Sequence, residues 1–100
     1  MSARSIGTLK KSSGNIPLIC FSCVAPEASQ VHLTGDFNDW DPSAHPMKRQ
    51  MDGVWSLEVP LTQGDHHYRF VIDGKAVLDP SADRTARDHQ GEKVSAVAVF

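Results

Sequence analysis

One aromatic side chain in a polar loop is the residue of this sequence best placed to do chemistry at a surface. Trp40 lies within Gly35-Asp36-Phe37-Asn38-Asp39-Trp40-Asp41-Pro42, which follows an alternating run ending at Thr34. Loops in compact domains are usually polar and solvated. A Trp there either pins the loop onto the core or offers a flat apolar face to a ligand. Such a face suits the C–H side of a sugar ring, whose hydroxyls suit Arg, Lys, Asn or Asp.

A single Trp gives little affinity. Covering one sugar ring buries about 80 Å² of apolar surface, which contributes about 2 kcal/mol. A millimolar complex already requires about 4 kcal/mol. Trp40 therefore needs neighbouring polar groups if it binds a sugar.

The Cys and His residues do not predict a metal or redox site. Cys20 and Cys23 form a CxxC pair in a β-rich run, where residues three apart face opposite sides of a strand. No second CxxC completes a four-ligand zinc site, so we expect two free thiols. His66 and His67 are adjacent on a strand and cannot chelate one metal together. No metal and no cofactor are predicted.

Catalytic signals are also lacking. The sequence has no glycine loop of the kind that cradles phosphates. Its carboxylates are concentrated in turns, where Asp is favoured because it hydrogen-bonds the backbone. A sandwich of 100 residues offers little room for a deep pocket. We expect no enzymatic activity.

Composition narrows the class of protein further. One hundred residues make a single domain, and 10 Lys and Arg against 12 Asp and Glu give a formal net charge of -2. This balance argues against nucleic-acid binding, which needs clustered positive charge. No apolar run approaches the ~20 residues of a membrane span. The apolar run Ile16–Phe21 is shorter than the ~7–15-residue core of a secretion signal, which favours a cytoplasmic protein.

The pattern of the chain predicts an all-β fold. Residues 1–15 lack periodicity and are predicted to be a flexible tail, with the folded domain at 16–100. Alternation places Trp55, Leu57 and Val59 inward on one strand and Tyr68, Phe70 and Ile72 inward on another, with Arg69 facing outward. Asp52-Gly53 and Asp73-Gly74 are hairpin turn signals, and Asp79–Glu92 is predicted to be a polar loop. Strands are predicted at Pro17–Val24, Gln30–Thr34, Met47–Gln50, Val54–Val59, His66–Ile72, Lys75–Leu78 and Lys93–Phe100. Seven or eight short strands of this kind indicate a β-sandwich.

An ordered series of motifs resembles a known family. The series comprises Gly35-Asp36-Phe37-Asn38-Asp39-Trp40, Met47-Lys48, Asp52-Gly53-Val54-Trp55, the run from Gly64 to Gly74, and Asp79-Pro80. Together they resemble the family 48 carbohydrate-binding modules, which include the N-terminal domains of isoamylases and glycogen-branching enzymes and the glycogen-binding domain of AMP-activated protein kinase β subunits. The resemblance covers Pro17 to Phe100 and is greatest to short bacterial proteins made of this domain alone. It implies an immunoglobulin-like, early-set β-sandwich.

The resemblance also implies site residues. Trp40 matches the Trp that stacks on the glucan, and Arg69 matches a basic residue that contacts sugar hydroxyls. Asn38 and Lys75 complete the predicted carbohydrate-binding set. A second stacking Trp of the family is replaced by Ala76, and a late Asn is replaced near Val94 or Ser95.

Two functions are compatible with these residues. The first is a non-catalytic domain that binds an α-glucan such as glycogen or starch with weak affinity, because half of the family's binding set is missing. The alternative is a protein-interaction module of the same fold, as a homodimer or as an accessory to a glycogen-metabolising enzyme. In enzyme-attached members the same loop packs against a neighbouring domain, so Trp40 is either a ligand contact or a loop anchor, and Arg69 either a ligand contact or a solvated charge.

Overall fold

The fold is built from two antiparallel β-sheets. The structure is a computed structural model that describes residues 4–5 and 16–100. The strands within these residues are β1 (Arg4–Ser5), β2 (Leu18–Val24), β3 (Val31–Gly35), β4 (Lys48–Arg49), β5 (Val54–Pro60), β6 (Gly64–Ile72), β7 (Lys75–Val77), β8 (Arg84–Arg87) and β9 (Lys93–Val99). The first sheet has the order β1-β2-β5-β4 and the second has the order β3-β6-β9-β8, with β7 also paired to β6. The predicted all-β, immunoglobulin-like sandwich is confirmed.

Two segments that were predicted to lack strands contain short ones. The polar loop predicted over Asp79–Glu92 is wrong at Arg84–Arg87, which form β8 and pair with β9. This strand has no apolar alternation that could reveal it, because its side chains are exposed or half-buried at the sheet edge. The tail predicted over residues 1–15 lies outside the described residues, except for Arg4–Ser5, which pair with β2.

The core lies between the sheets. Phe21 of the first sheet meets Tyr68 of the second edge-to-face, with ring centroids 4.9 Å apart. Trp55 is only 5% exposed, and its indole N–H donates to the carbonyl of Ala25 at 2.9 Å. Leu57, which was predicted to be inward, is partly buried against the same cluster. Alternation along β5 and β6 therefore predicted the core side of these two strands correctly.

Asp-Gly pairs form two of the tight turns. Asp52 and Gly53 lie at φ of 63° and 73° between β4 and β5, and Asp73 and Gly74 lie at 48° and 86° between β6 and β7. Positive φ at both central residues is the geometry that Asp-Gly supplies in hairpins, so the two predicted turns are confirmed.

A buried polar network ties β6 to β9. The Tyr68 hydroxyl donates to Asp79 Oδ2 at 2.6 Å, and the Asp79 N–H donates to Ser95 Oγ at 2.8 Å. Asp79 Oδ1 also accepts from the N–H of Ser81. The buried Ser95 hydroxyl therefore takes part in this network between the sheets.

The two cysteines lie on opposite faces of β2. Cys23 is buried, Cys20 is half-buried, and both are free thiols. Burial raises the pKa of the Cys23 thiol. Zinc binding was not predicted, and among the described residues no group of three His, Cys, Asp or Glu side chains is arranged to hold a metal ion.

Within residues 4–5 and 16–100, no helix has the length and apolar character needed to cross a membrane.

Candidate functional site

The loop between β3 and β4, residues Asp36–Pro46, is shaped by the side chain of Asn38. Asn38 Oδ1 accepts from the Gly35 N–H at 3.0 Å, and Asn38 Nδ2 donates to the Leu33 carbonyl at 3.1 Å. Nδ2 also lies 2.7 Å from His45 Nδ1. The carboxamide thus binds both ends of the loop, which is henceforth called the Trp40 loop. Both polar atoms of the Asn38 carboxamide are therefore bonded to neighbouring groups of the protein.

Two further residues fasten the Trp40 loop to the sandwich. Phe37 packs against Phe21 of the core, with ring centroids 6.0 Å apart. Asp36 Oδ2 accepts from the backbone N–H of His67 on β6 at 3.0 Å, and the Asp36 N–H donates to the His67 carbonyl. The loop is therefore anchored by an apolar contact to the first sheet and by backbone hydrogen bonds to the second.

Trp40 occupies an unusual backbone position. Asp39 and Trp40 have φ of 57° and 58°, in the left-handed region that most residues avoid. The Trp40 N–H donates to the Gly35 carbonyl at 2.9 Å, which closes the turn. Because the loop fixes this conformation, the half-buried indole is held against the outer face of the second sheet rather than inserted into the core.

Arg69 is the residue that meets Trp40. Its guanidinium carbon lies 5.3 Å from the centroid of the Trp40 ring, which is cation–π geometry. Arg69 lies on β6 opposite Thr34 of β3 and is directed outward, since Tyr68 and Phe70 on either side are buried. The structure thus brings together two predicted residues that are 29 positions apart in the sequence.

Two polar atoms beneath this surface lack partners. Arg69 Nε and Thr34 Oγ1 are buried and make no hydrogen bond with the described part of the chain. Opposed residues of antiparallel strands share a face, so both atoms belong to the outer face of the second sheet. Unpaired buried polar atoms are uncommon, and here they mark the floor of the Trp40–Arg69 surface.

Register places the other predicted positions. Ala76 lies opposite Val71, on the same outer face as Arg69, and is exposed. Lys75 lies opposite Ile72 and is therefore directed to the other side of the sheet. The structure does not bring Lys75 to the Trp40–Arg69 surface. A two-residue turn at Asp73-Gly74 already implied this pairing, so the signal was present in the sequence.

Register shows which of Val94 and Ser95 faces outward. Ala96 lies opposite His67, which faces outward with Arg69, and Val94 shares that face because it is two residues from Ala96 on the same strand. Ser95 lies opposite Tyr68 and faces inward. Val94 is thus the residue on the outer face. It is fully buried and apolar, so its side chain supplies no hydrogen bond to a ligand.

Sequence reasoning missed one residue of this surface. Glu92 Oε1 lies 3.5 Å from Arg69 Nη1, and the Glu92 side chain is 63% exposed. Glu92 closes the turn between β8 and β9, where its N–H donates to Asp88 Oδ1 at 2.9 Å. This hydrogen bond is the main cause that lowers the pKa of Asp88, and the nearby Arg69 charge lowers it further. The predicted loop at Asp79–Glu92 concealed the hairpin that brings Glu92 to Arg69.

The protein is an immunoglobulin-like β-sandwich with an indole and a guanidinium side by side on an outer sheet face. This is the architecture of a carbohydrate-binding module. The chain belongs to the family described as carbohydrate-binding module 48 (isoamylase N-terminal domain), whose model matches residues 9–91. The family resemblance inferred from the motifs is confirmed.

Curated relatives of the chain are much longer proteins. It is 34% identical over 89 residues to the 1,4-alpha-glucan branching enzyme GlgB 2 of Xanthomonas campestris pv. campestris (strain 8004), a match that covers 86% of this chain and 12% of the enzyme. It is 44% identical over 71 residues to the GlgB enzyme of Pseudomonas putida, covering 69% of this chain and 10% of the enzyme. A GlgB enzyme of Burkholderia pseudomallei (strain 668) is 43% identical over 77 residues, covering 70% and 10%. The chain thus matches about a tenth of the length of these enzymes.

Proposed function

We propose that this chain is a non-catalytic α-glucan-binding domain whose surface is formed by Trp40 and Arg69. The observation that carries the proposal is the 5.3 Å approach of the Arg69 guanidinium to the Trp40 ring on the outer sheet face. An indole ring and a cationic donor at this spacing suit a sugar, which offers its C–H groups to the flat face of the ring and its hydroxyl oxygens to the cation. The names of the relatives, 1,4-alpha-glucan branching enzymes, favour an α-1,4-linked polymer.

Weak affinity is expected from the composition of this surface. Only part of the indole is exposed, because the ring is half-buried and the guanidinium lies over it. Ala76 contributes a single methyl group where a second ring would extend the stacking surface. Dissociation constants near millimolar for short oligosaccharides, or about -4 kcal/mol, are consistent with one aromatic and one cation.

The test is a titration of maltoheptaose into isotope-labelled protein, followed by NMR. We expect the resonances of the Trp40 indole N–H and of Arg69 to shift with a dissociation constant near 1 mM, on the order expected for one stacking ring assisted by a cationic neighbour. Trp40→Ala should abolish the binding. The matched control is Met51→Ala, which removes an exposed apolar side chain in the turn before β5. An unshifted Trp40 at saturating oligosaccharide would contradict the proposal.

A second candidate function, a protein-interaction module, is favoured by a separate apolar surface. Phe100 is 96% exposed and lines a recess with Ile16, Pro17, Thr62 and Gln63. Exposed apolar groups that cluster around a recess are typical of protein contacts. Sedimentation analysis of the chain and of Phe100→Ser tests self-association. A monomer at every concentration with both sequences would contradict self-association.

The cytoplasmic location remains a prediction.

A further inference from the structure

We propose that Glu92 is a specificity-determining residue that accepts hydrogen bonds from a vicinal hydroxyl pair of a glucose unit, beside Arg69 and Trp40. This inference rests on the proposed glucan-binding function and assigns a third contact to the same surface. It identifies the recognised group as the O2/O3 edge of the ring, because these two adjacent hydroxyls match the two oxygens of a carboxylate.

Three side chains from separate segments meet at Arg69. The Trp40 ring centroid lies 5.3 Å from the guanidinium carbon of Arg69, and Glu92 Oε1 lies 3.5 Å from Arg69 Nη1. The Arg69 side chain is only 21% exposed, whereas that of Glu92 is 63% exposed. The carboxylate is therefore more accessible to a ligand than the guanidinium.

The Arg69–Glu92 contact leaves both groups free to bind a ligand. A tight charge-assisted hydrogen bond between nitrogen and oxygen measures about 2.7–2.9 Å, and this one is longer. A sugar hydroxyl both donates and accepts, so it can donate to Glu92 and accept from Arg69 at once. A hydroxyl between the two groups would hydrogen-bond to both charges.

The backbone of Glu92 is already held in place. Its N–H donates to Asp88 Oδ1, and its carbonyl accepts from the Asp88 N–H, both at 2.9 Å. Arg87 Nη1 donates to the Gly91 carbonyl at 2.6 Å and braces the same turn. A residue whose backbone is already fixed loses less entropy on binding than one in a mobile segment. The neighbouring outer-face residue Val94 offers no polar side-chain atom, so the acceptor role falls to Glu92.

The first experiment compares maltoheptaose binding by the full chain, Glu92→Gln and Glu58→Gln. The ligand is neutral, so a change of net charge alone has little effect on its binding. We expect Glu92→Gln to weaken binding by about 3–10-fold, because the amide oxygen still accepts one hydrogen bond but the charge and the second acceptor are lost. Glu58 is an exposed acid opposite Cys20 on the first sheet, and its substitution should change nothing.

A second ligand pair separates direct contact from an effect through Arg69. The chain and Glu92→Ala are titrated with β-cyclodextrin and with its heptakis(2,3-di-O-methyl) derivative, which cannot donate from O2 or O3. We expect the unsubstituted chain to bind the unmethylated cyclodextrin more tightly. The ratio of the two dissociation constants should fall at least about threefold in Glu92→Ala, because the carboxylate that accepts from the O2 and O3 hydroxyls is gone.

The outcomes distinguish the inference from the function on which it rests. Equal weakening of both cyclodextrins by Glu92→Ala would mean that Glu92 only positions Arg69, and the inference would be overturned. Unchanged binding in Glu92→Gln together with loss in Trp40→Ala would overturn the inference and leave the glucan function intact. Binding of neither maltoheptaose nor cyclodextrin by the unsubstituted chain would overturn both.

Discussion

Asn38, which was predicted to bind ligand, makes its hydrogen bonds within its own loop. Its carboxamide accepts from the Gly35 N–H and donates to the Leu33 carbonyl, with His45 Nδ1 as a third neighbour. A short polar side chain that bonds nearby backbone groups is the usual way in which Asn shapes a turn. Asn38 therefore determines where Trp40 lies.

We expect Asn38→Ala to lower the free energy of unfolding by about 2 kcal/mol, because the buried Gly35 N–H loses its acceptor. Urea denaturation measures this difference. Lys75→Ala is the control, since Lys75 is exposed on the opposite side of the sheet and should change neither stability nor maltoheptaose binding. Loss of binding in Asn38→Ala with unchanged stability would instead support direct sugar contact by Asn38.

The two thiols should differ in reactivity. Burial raises the pKa of Cys23 above its ordinary value of 9.0, so little thiolate forms at pH 8. The neutral thiol of the folded state stabilises the protein below pH 9.0, and this contribution is lost as pH rises through the folded pKa. We expect iodoacetamide to modify Cys23 in Cys20→Ser more slowly than Cys20 in Cys23→Ala. In urea the two rates should converge, and equal rates in the folded state would contradict the burial of Cys23.

At the scale of elements, the two Asp-Gly turns have the same backbone geometry and different surroundings. Gly53 lies against the β2–β3 connection, where an added Cβ would lie 2.5 Å from Pro26 Cβ and 2.6 Å from Pro26 Cα. Gly74 has nothing within 4 Å of the same added atom. Both glycines have positive φ, so a side chain would carry the same conformational cost at either position. Only the steric cost of the added side chain differs between them.

We expect Gly74→Ala to cost about 1 kcal/mol of stability, the conformational penalty for Ala at positive φ. Gly53→Ala should cost about 3 kcal/mol or more, because the Pro26 backbone has to move as well. Thermal unfolding of the two variants measures the difference directly. Similar losses in both would show that the β2–β3 connection yields to the new methyl group.

At the scale of the whole molecule, the outer face of the second sheet is assembled from three segments. β6 supplies Arg69, the Trp40 loop supplies the indole, and the β8–β9 turn supplies Glu92. β7 adds Ala76 to the same face, opposite Val71. The surface therefore combines the Trp40 ring with an exposed Ala76 on the same sheet face.

A second ring at that position should strengthen glucan binding. Ala76→Trp places an indole on the outer face next to Arg69, and its added contact area should contribute about 1–2 kcal/mol, or roughly 5–30-fold in affinity. Calorimetric titration of maltoheptaose measures the gain. The control is Lys75→Trp, which adds the same side chain to the opposite side of the sheet. An equal gain in both variants, or none in Ala76→Trp, would contradict a glucan surface at Trp40 and Arg69.

The sequence by itself determined the parts of this protein that depend on neighbours along the chain. Alternation identified the core side of β5 and β6, because side chains of a strand point alternately to its two faces. Asp-Gly pairs identified two turns, since few other residues adopt positive φ without cost. The motif series identified the family and selected Trp40 and Arg69. β8 escaped prediction because an exposed polar strand carries no alternating signal.

The tertiary structure alone decided what those residues face. The Trp40 ring meets Arg69 because the Asn38 hydrogen bonds and the Asp36–His67 contacts fix the loop against β6. Glu92 meets Arg69 only because β8 and β9 form a hairpin that pairs with β6. These contacts depend on strand register and loop geometry between segments more than 20 residues apart. Residue types and local periodicity do not specify such distances, so the composition of the surface emerges only once the sheets are assembled.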